Sequence, residues 1–210
     1  MSLKQLSHSL FSTLPLGGGE VDYIIVGGRK YHYVKIGNQL WTNENLDYKI
    51  DGIPLNPSNE SSGIGMWYYN NNEAKYGIDG LRYGLLYSGG ALDKIKSKQE
   101  ELFPNGFHIP SLAEFDILKN FVNGNVSKLK SVTWNGTDDY GFNALPAGYR
   151  RTGNSSFSGA GSTTWFWSTD KLYAEGHYLP TSQCISSSSM YQDYWHSQYS
   201  YGSIRLVKSI

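Results

Sequence analysis

Five histidines (His8, His32, His108, His177 and His196) and one cysteine, Cys184, are the side chains of this 210-residue sequence best suited to hold a metal or attack a substrate. The histidines are scattered, without the spacing or the accompanying carboxylates of a zinc site. A lone cysteine excludes an intrachain disulfide and any CxxC cluster, so Cys184 reads as a small apolar core residue. Asp138-Asp139, inside Trp134-Asn-Gly-Thr-Asp-Asp-Tyr-Gly141, could offer oxygens to calcium, but the stretch lacks the alternating acids of an EF-hand loop. The pair reads instead as a turn organiser that accepts backbone N–H bonds. No G-x-S-x-G elbow, Walker A loop or strand-linked G-x-G-x-x-G is present, and Gly17-Gly18-Gly19 has no Lys-Ser/Thr after it to serve phosphate. The residues therefore give no catalytic site, and no cofactor is expected beyond the calcium that Asp138-Asp139 could attract.

The distal third carries a different chemistry. Asparagine stops at Asn154, while Tyr, Ser, Gln, His and Asp crowd residues 173–201. Two readings stand side by side. In one, Ser186-Ser-Ser-Ser189 is a flexible low-complexity loop and Tyr191, Tyr194, Trp195, Tyr199 and Tyr201 are core or strand-surface aromatics. In the other, the segment is a recognition surface, because Tyr and Trp give large contact area at low entropic cost and Ser gives adaptable hydrogen bonding. Its rings could also stack on the C–H faces of sugars, with Asp, Gln and His meeting the hydroxyls.

The elements that must position these residues follow from patterning. Lys plus Arg and Asp plus Glu both total 18, so the formal charge is zero, which argues against a phosphate-backbone binder. No apolar stretch approaches the ~20 residues that span a bilayer, and residues 1–16 lack the continuous apolar run of a secretory signal. Pro15-Leu-Gly-Gly-Gly19 sets off residues 1–19 as an arm or linker from residues 20–210. Residues 31–36 and 39–42 flank Gly37-Asn38 and predict a hairpin with Trp41 facing the core. Residues 51–65 read as a long surface loop, and Met66-Trp-Tyr-Tyr69 as a short aromatic strand or anchor. A helix is predicted over 91–103, with Leu92, Ile95, Leu102 and Phe103 inward. A second follows the capping box Ser111-x-x-Glu114, with Leu112, Phe115, Leu118, Phe121 and Val122 as the buried stripe before Gly124. Short β-favouring pieces fill the rest, giving an α+β fold.

Several blocks in order, Val34-Lys-Ile-Gly-Asn-Gln-Leu-Trp-Thr-Asn-Glu-Asn-Leu46, Gly84-Leu-Leu-Tyr87, Pro104-Asn-Gly-Phe-His-Ile-Pro-Ser111, Gly136 to Arg150, Phe166-Trp-Ser-Thr169 and Tyr201-Gly-Ser-Ile-Arg-Leu-Val-Lys208, resemble the Fibrobacter succinogenes major paralogous domain. The resemblance implies a C-type-lectin-like fold with two helices, a small twisted mixed sheet and long loops that present a ligand-binding surface. It also implies kinship with adhesive tips of surface appendages and with variable proteins of diversity-generating retroelements. In the latter, template asparagine codons are rewritten to Tyr, Ser, Asp and His, a process that could leave the asparagine-free end seen here. Carried over by position, the frame would hold Trp41, Trp134, Phe142, Leu145, Trp167, Ile204 and Leu206. The exposed variable face would draw on Tyr173, His177, Tyr178, Ser187, Ser189, Tyr191, Asp193, Tyr194, Trp195, His196, Gln198 and Tyr199.

Departures from the resembling family matter too. Many relatives place cysteines where Leu102-Phe103 and Arg205-Leu206 stand here, so that staple is gone. The sugar- and calcium-binding motifs of true C-type lectins are missing, and the cysteine pair of the formylglycine-generating enzymes that share the fold cannot be formed. The expected function is a non-enzymatic ligand- or receptor-binding module, extracellular, on a cell surface or a virion. Its expected partner is a protein or carbohydrate on a cell surface, with no nucleic acid and no membrane insertion. An enzyme on a formylglycine-generating scaffold, and an assembly module whose arm joins copies into an oligomer or fibre, are the alternatives.

Overall fold

A computed structural model describes residues 22–57, 63–71, 82–151, 156–174, 176–194 and 200–210. The arm expected at residues 1–19 lies outside them. Tyr-Ile-Ile-Val and Arg-Lys-Tyr-His alternate around Gly27-Gly28, whose φ of 56° and 80° suit a two-residue hairpin turn, and so β1 (Tyr23–Val26) pairs with β2 (Arg29–Ile36). This hairpin precedes the one expected from Gly37-Asn38, where Ile36 faces Gln39 and β2 pairs with β3 (Gln39–Thr42). The rest of the chain forms β4 (Met66–Trp67), β5 (Leu86–Ser88), α1 (Gly89–Ser97), α2 (Gln99–Leu102), α3 (Leu112–Phe121), β6 (Ala147–Arg150), β7 (Phe157–Ala160), β8 (Thr164–Ala174), β9 (His177–Ile185), β10 (Met190–Tyr194), β11 (Tyr201–Gly202) and β12 (Val207–Ser209). One sheet runs β1-β2-β3-β12; the other runs β10-β9-β8-β6-β11-β5-β4, with β7 on β6. Pairing is antiparallel except between β6 and β8, so the architecture is a mixed α+β one, as the sequence predicts.

The capping box forms as expected. Ser111 Oγ accepts from Glu114 N, and Glu114 Oε2 accepts from Ser111 N at 2.8 Å. Phe115, Leu118 and Val122 are buried beneath α3 with Trp41, Trp134, Phe142 and Phe166. Leu112 and Phe121 depart from the expected stripe, Leu112 half-buried and Phe121 42% exposed and packed edge-on against Tyr140, because each lies at a flank of the face centred on Phe115, Leu118 and Val122. The helix predicted over 91–103 is also interrupted. Lys98, at φ −122° and ψ 12°, separates α1 from α2. Between Ile95 and Leu102 every side chain is polar, so nothing holds a continuous helix to the core, and the break lets Phe103 turn inward to 2% exposure. The 51–65 loop is tied down rather than wholly superficial, with Ile53 buried and Pro54 and Asn56 bonded to Met66. All seven expected frame residues, Trp41, Trp134, Phe142, Leu145, Trp167, Ile204 and Leu206, are buried. Where relatives would place a cysteine pair, Phe103 and Leu206 belong to one apolar cluster.

At the centre lies Arg205, fully buried. Its Nε donates to Asn45 Oδ1 at 2.8 Å, Nη1 to the carbonyls of Thr42 and Phe142, and Nη2 to the Asn143 carbonyl at 2.9 Å. The guanidinium lies over the Phe142 ring at 4.6 Å and near Phe166 at 5.4 Å. Burial pulls its pKa down to about 9, and it remains a cation at neutral pH. Asp138, read from sequence as a turn organiser, accepts from Asn143 N at 2.7 Å and so shapes the loop that supplies two of these acceptors.

Two expectations follow. Arg205→Ala strands several buried acceptors and should lower the unfolding free energy by about 3–5 kcal/mol in urea titrations. Arg205→Lys should recover less than half of this, because one ammonium cannot reach the same spread of acceptors. The second concerns His108, whose Nε2 meets Glu114 Oε1 at 2.8 Å and whose Nδ1 meets the Gly106 carbonyl at 3.0 Å. The bond to Glu114 raises the His108 pKa above 6.5 against the effect of burial. Burial works to raise Glu114, but bonds from His108 and Ser111 overcome it and hold the carboxyl at about 2. The Glu114 contribution is complete above its unfolded value of 4.5 and disappears as pH falls through about 2. The His108 contribution is complete below 6.5 and disappears as pH rises through the raised folded value. The difference in melting temperature between the unmodified protein and Glu114→Gln should therefore peak between pH 4.5 and 6.5 and narrow on both sides.

Candidate functional site

The long hairpin β8–β9 and its neighbour β10 carry six of the twelve residues expected on the binding face. Along the base of the hairpin, Trp165 stands opposite Cys184, and Cys184 opposite Tyr191, so the three share one side of the sheet. Tyr191 meets the Trp165 ring edge-on at 5.8 Å, and Tyr149 from β6 meets it at 5.9 Å and 75°. Arg151 lies over Tyr149 at 5.4 Å. The opposite side of the same strands is packed: Phe166, Ile185 and Met190 join the core under α3, and Gln192 Nε2 donates to Asp116 on that helix at 2.9 Å. Alternation therefore points Tyr191 and Asp193 outward.

An irregularity between Trp167 and Lys171 fastens the hairpin to the helices. It inserts extra residues in β8, and Asp170 Oδ2 accepts from Leu112 N at 2.6 Å, adding a second cap to α3. Thr169 N donates to the Pro110 carbonyl, Lys96 Nζ donates to the Thr169 carbonyl at 2.7 Å, and Lys171 pairs with Asp93 at 2.8 Å. Beyond these ties the ribbon is largely exposed, although Leu179 opposite Leu172 stays buried. Tyr173 pairs with Tyr178, the rings 5.1 Å apart and edge-on, 63% and 68% exposed, while Leu172 is exposed on the other side. His177, opposite Ala174, completes this tip.

The expected site residues thus fall into separate places. Tyr173, His177 and Tyr178 cluster at the tip, and Tyr191 and Asp193 lie on the outer face of β10, with Tyr194 half-buried opposite Thr181. Ser187 and Ser189 stand at the far end of the hairpin, about 25 Å from the tip by strand rise. The serine turn is more ordered than a flexible loop. Ser186 Oγ and Ser189 Oγ are 2.8 Å apart, Ser186 N donates to the Ser189 carbonyl, and Lys130 Nζ donates to the Ser187 carbonyl at 2.9 Å. Trp195, His196, Gln198 and Tyr199 lie outside the described residues. Sequence reasoning missed Tyr149 and Trp165. The alternation of Trp165 and Trp167 was a usable signal for a shared face, whereas nothing local pointed to Tyr149.

Burial and a shared hydrogen bond keep Cys184 and Tyr191 in their neutral forms on this face. Cys184 is fully buried, and burial raises its thiol pKa to about 11 despite the hydrogen bond with Tyr191. That bond, with burial, also raises the Tyr191 hydroxyl. A neutral thiol under a neutral phenol is a poor nucleophile and a poor soft-metal ligand at neutral pH. Among the described residues no three His, Cys, Asp or Glu side chains gather as a metal site would require, and no helix is long and apolar enough to cross a membrane.

No curated protein matches the chain, and no solved structure matches it. The family model of the Fibrobacter succinogenes major domain matches residues 34–208, from the end of β2 through the helices and β8–β11 into β12, and the chain belongs to that family.

Proposed function

We propose that this protein is a non-enzymatic ligand- or receptor-binding module of C-type-lectin-like architecture, acting outside the cell on a cell surface or as part of a virion. The observation that carries the reading is the β8–β9–β10 ribbon, where exposed Tyr173, Tyr178 and Tyr191 stand on strands whose other face is locked to α3. Rings held on a rigid frame lose little entropy on association, and polar neighbours keep them solvated. The ligand is a protein or a carbohydrate of a cell surface. The buried, high-pKa Cys184 supports the non-enzymatic reading over thiol or copper chemistry on a formylglycine-generating scaffold.

Binding is tested by staining a panel of bacterial and animal cells and a glycan array with the labelled protein. The unmodified chain should stain at least one surface. Tyr173→Ala with Tyr178→Ala, and separately Tyr194→Ala with Trp195→Ala, should abolish that staining while the melting temperature moves by about 2 °C or less. Undiminished staining, or a large loss of stability, would show that these residues are not the binding face.

We further propose that the region after Asn154 is diversified by a retroelement. Its freedom from asparagine, beside exposed Tyr, Ser, Asp and His on β8–β10, supports this reading. The flanking DNA should hold a near-copy of the final coding stretch, differing at adenines, next to a reverse transcriptase gene. Complete sequence of the locus without such a copy sinks the idea.

A further inference from the structure

The two sheets have five edge strands, and four of them are guarded: in β7, Gly159 holds a φ of 77° and its carbonyl accepts from Ser162 N and Thr163 N. β4 has two residues and bridges Leu55 on its outer side. β10 carries Asp193, and β12 is short and carries Lys208. β1 differs: Tyr23-Ile-Ile-Val26 has no charge, proline or bulge, the usual devices against strand addition.

Its register fixes which groups it offers. The Asp22 carbonyl accepts from Tyr33 N at 2.9 Å, so hydrogen-bonded pairs to β2 fall at residues 22, 24 and 26. The N–H and C=O of Tyr23 and Ile25 therefore point away from β2. The same two residues have exposed side chains, 43% and 53%, while Ile24 and Val26 are buried in the core. Among the described residues nothing bonds to those outward groups. Residues 22–33 also precede the matched family span, which begins at residue 34.

We propose that β1 pairs antiparallel with β1 of a second copy of this chain, about a two-fold axis at Ile24. The two outward-facing residues flank Ile24 symmetrically, so the two-fold brings Tyr23 opposite Ile25 of the other copy, twice. Each pairing exchanges two N–H···O=C bonds and sets an aromatic ring beside a β-branched side chain. The chain's formal charge of zero sets no long-range repulsion between copies. Lys30 and His32, opposite Ile25 and Tyr23 on β2, stay apart from their counterparts by both β1 strands, about 14 Å. The result is one continuous sheet from β12 of one copy to β12 of the other. With only four residues a side, the contact falls below the size of a stable interface and is a weak one, suited to chains displayed side by side.

The test uses the full chain. Sedimentation of the unmodified protein at about 0.5 mM should show a dimer, and Ile25→Lys should be a monomer with unchanged melting, since Ile25 makes no core contact. Tyr23→Cys and Ile25→Cys chains, prepared separately, should form a disulfide readily when mixed and scarcely at all alone, because only the mixed pair comes within bridging distance. Cys184 is buried and leaves the readout clean. A monomer at that concentration, as when residues 1–21 cover the edge, overturns the proposal. So does a dimer that survives Ile25→Lys, or a mixed disulfide that forms no faster than the like pairs.

Discussion

The guanidinium of Arg205 is a charge removed from water and answered by oxygens alone. Among the described residues no carboxylate bonds to it; four of its five N–H groups go to Asn45, Thr42, Phe142 and Asn143, and two aromatic faces cover its plane. The desolvation penalty of such a cation is offset only if each of those segments stays in place. Three stretches far apart in the chain, around residues 42–45, 142–143 and 204–206, thereby become one unit. Thr42 also exchanges bonds with Leu206, and Leu46 N donates to the Ile204 carbonyl, so the terminal segment is threaded through the middle of the molecule.

The exposed β8–β9 ribbon rests on that thread. Ser203, two residues before Arg205, exchanges backbone bonds with β8: Ser203 N reaches the Trp165 carbonyl at 2.8 Å, and Trp167 N reaches the Ser203 carbonyl at 2.9 Å. Trp167 Nε1 donates to the Tyr87 carbonyl at 2.7 Å, tying the same point to β5. The base of the β8–β9 ribbon is therefore as fixed as the core. Past the irregularity at Trp167 to Lys171, which spends its polar groups on α1 and α3, Leu172, Tyr173, His177 and Tyr178 are exposed around one buried residue, Leu179. The exposed four can change with little loss of buried contact, whereas Leu179 cannot.

Much of the local structure was legible in the sequence. Ser111 and Glu114 sit at the spacing that satisfies two orphan N–H groups at once, and no distant residue is needed to make that happen. Gly37 provides a φ of 61° that few other residues accept, so the turn between β2 and β3 could be placed from the dipeptide. Gly27-Gly28 carries the same turn signal for β1, but β1 has only four residues, too short a run to stand out as a strand. The break at Lys98 and the exposure of Phe121 were not readable, since both depend on where the core surface ends rather than on helical periodicity. Arg205 was hidden for a related reason: its acceptors lie about 60 to 160 residues away in the chain.

Tyr191 and Tyr201 set the boundary between the two kinds of information. Composition alone determined that the last third would be rich in rings among hydroxyls and that no intrachain disulfide could staple it. Tertiary structure decided that Tyr201 is wholly buried against Trp67 and Arg150, whereas Tyr191 faces solvent beside Trp165. The physical reason is that turns, caps and propensities act over a few residues, whereas burial depends on which strands pair and in what register. Those pairings join residues as distant as Tyr201 and Ser88, and they divided the tyrosines between the frame and the surface.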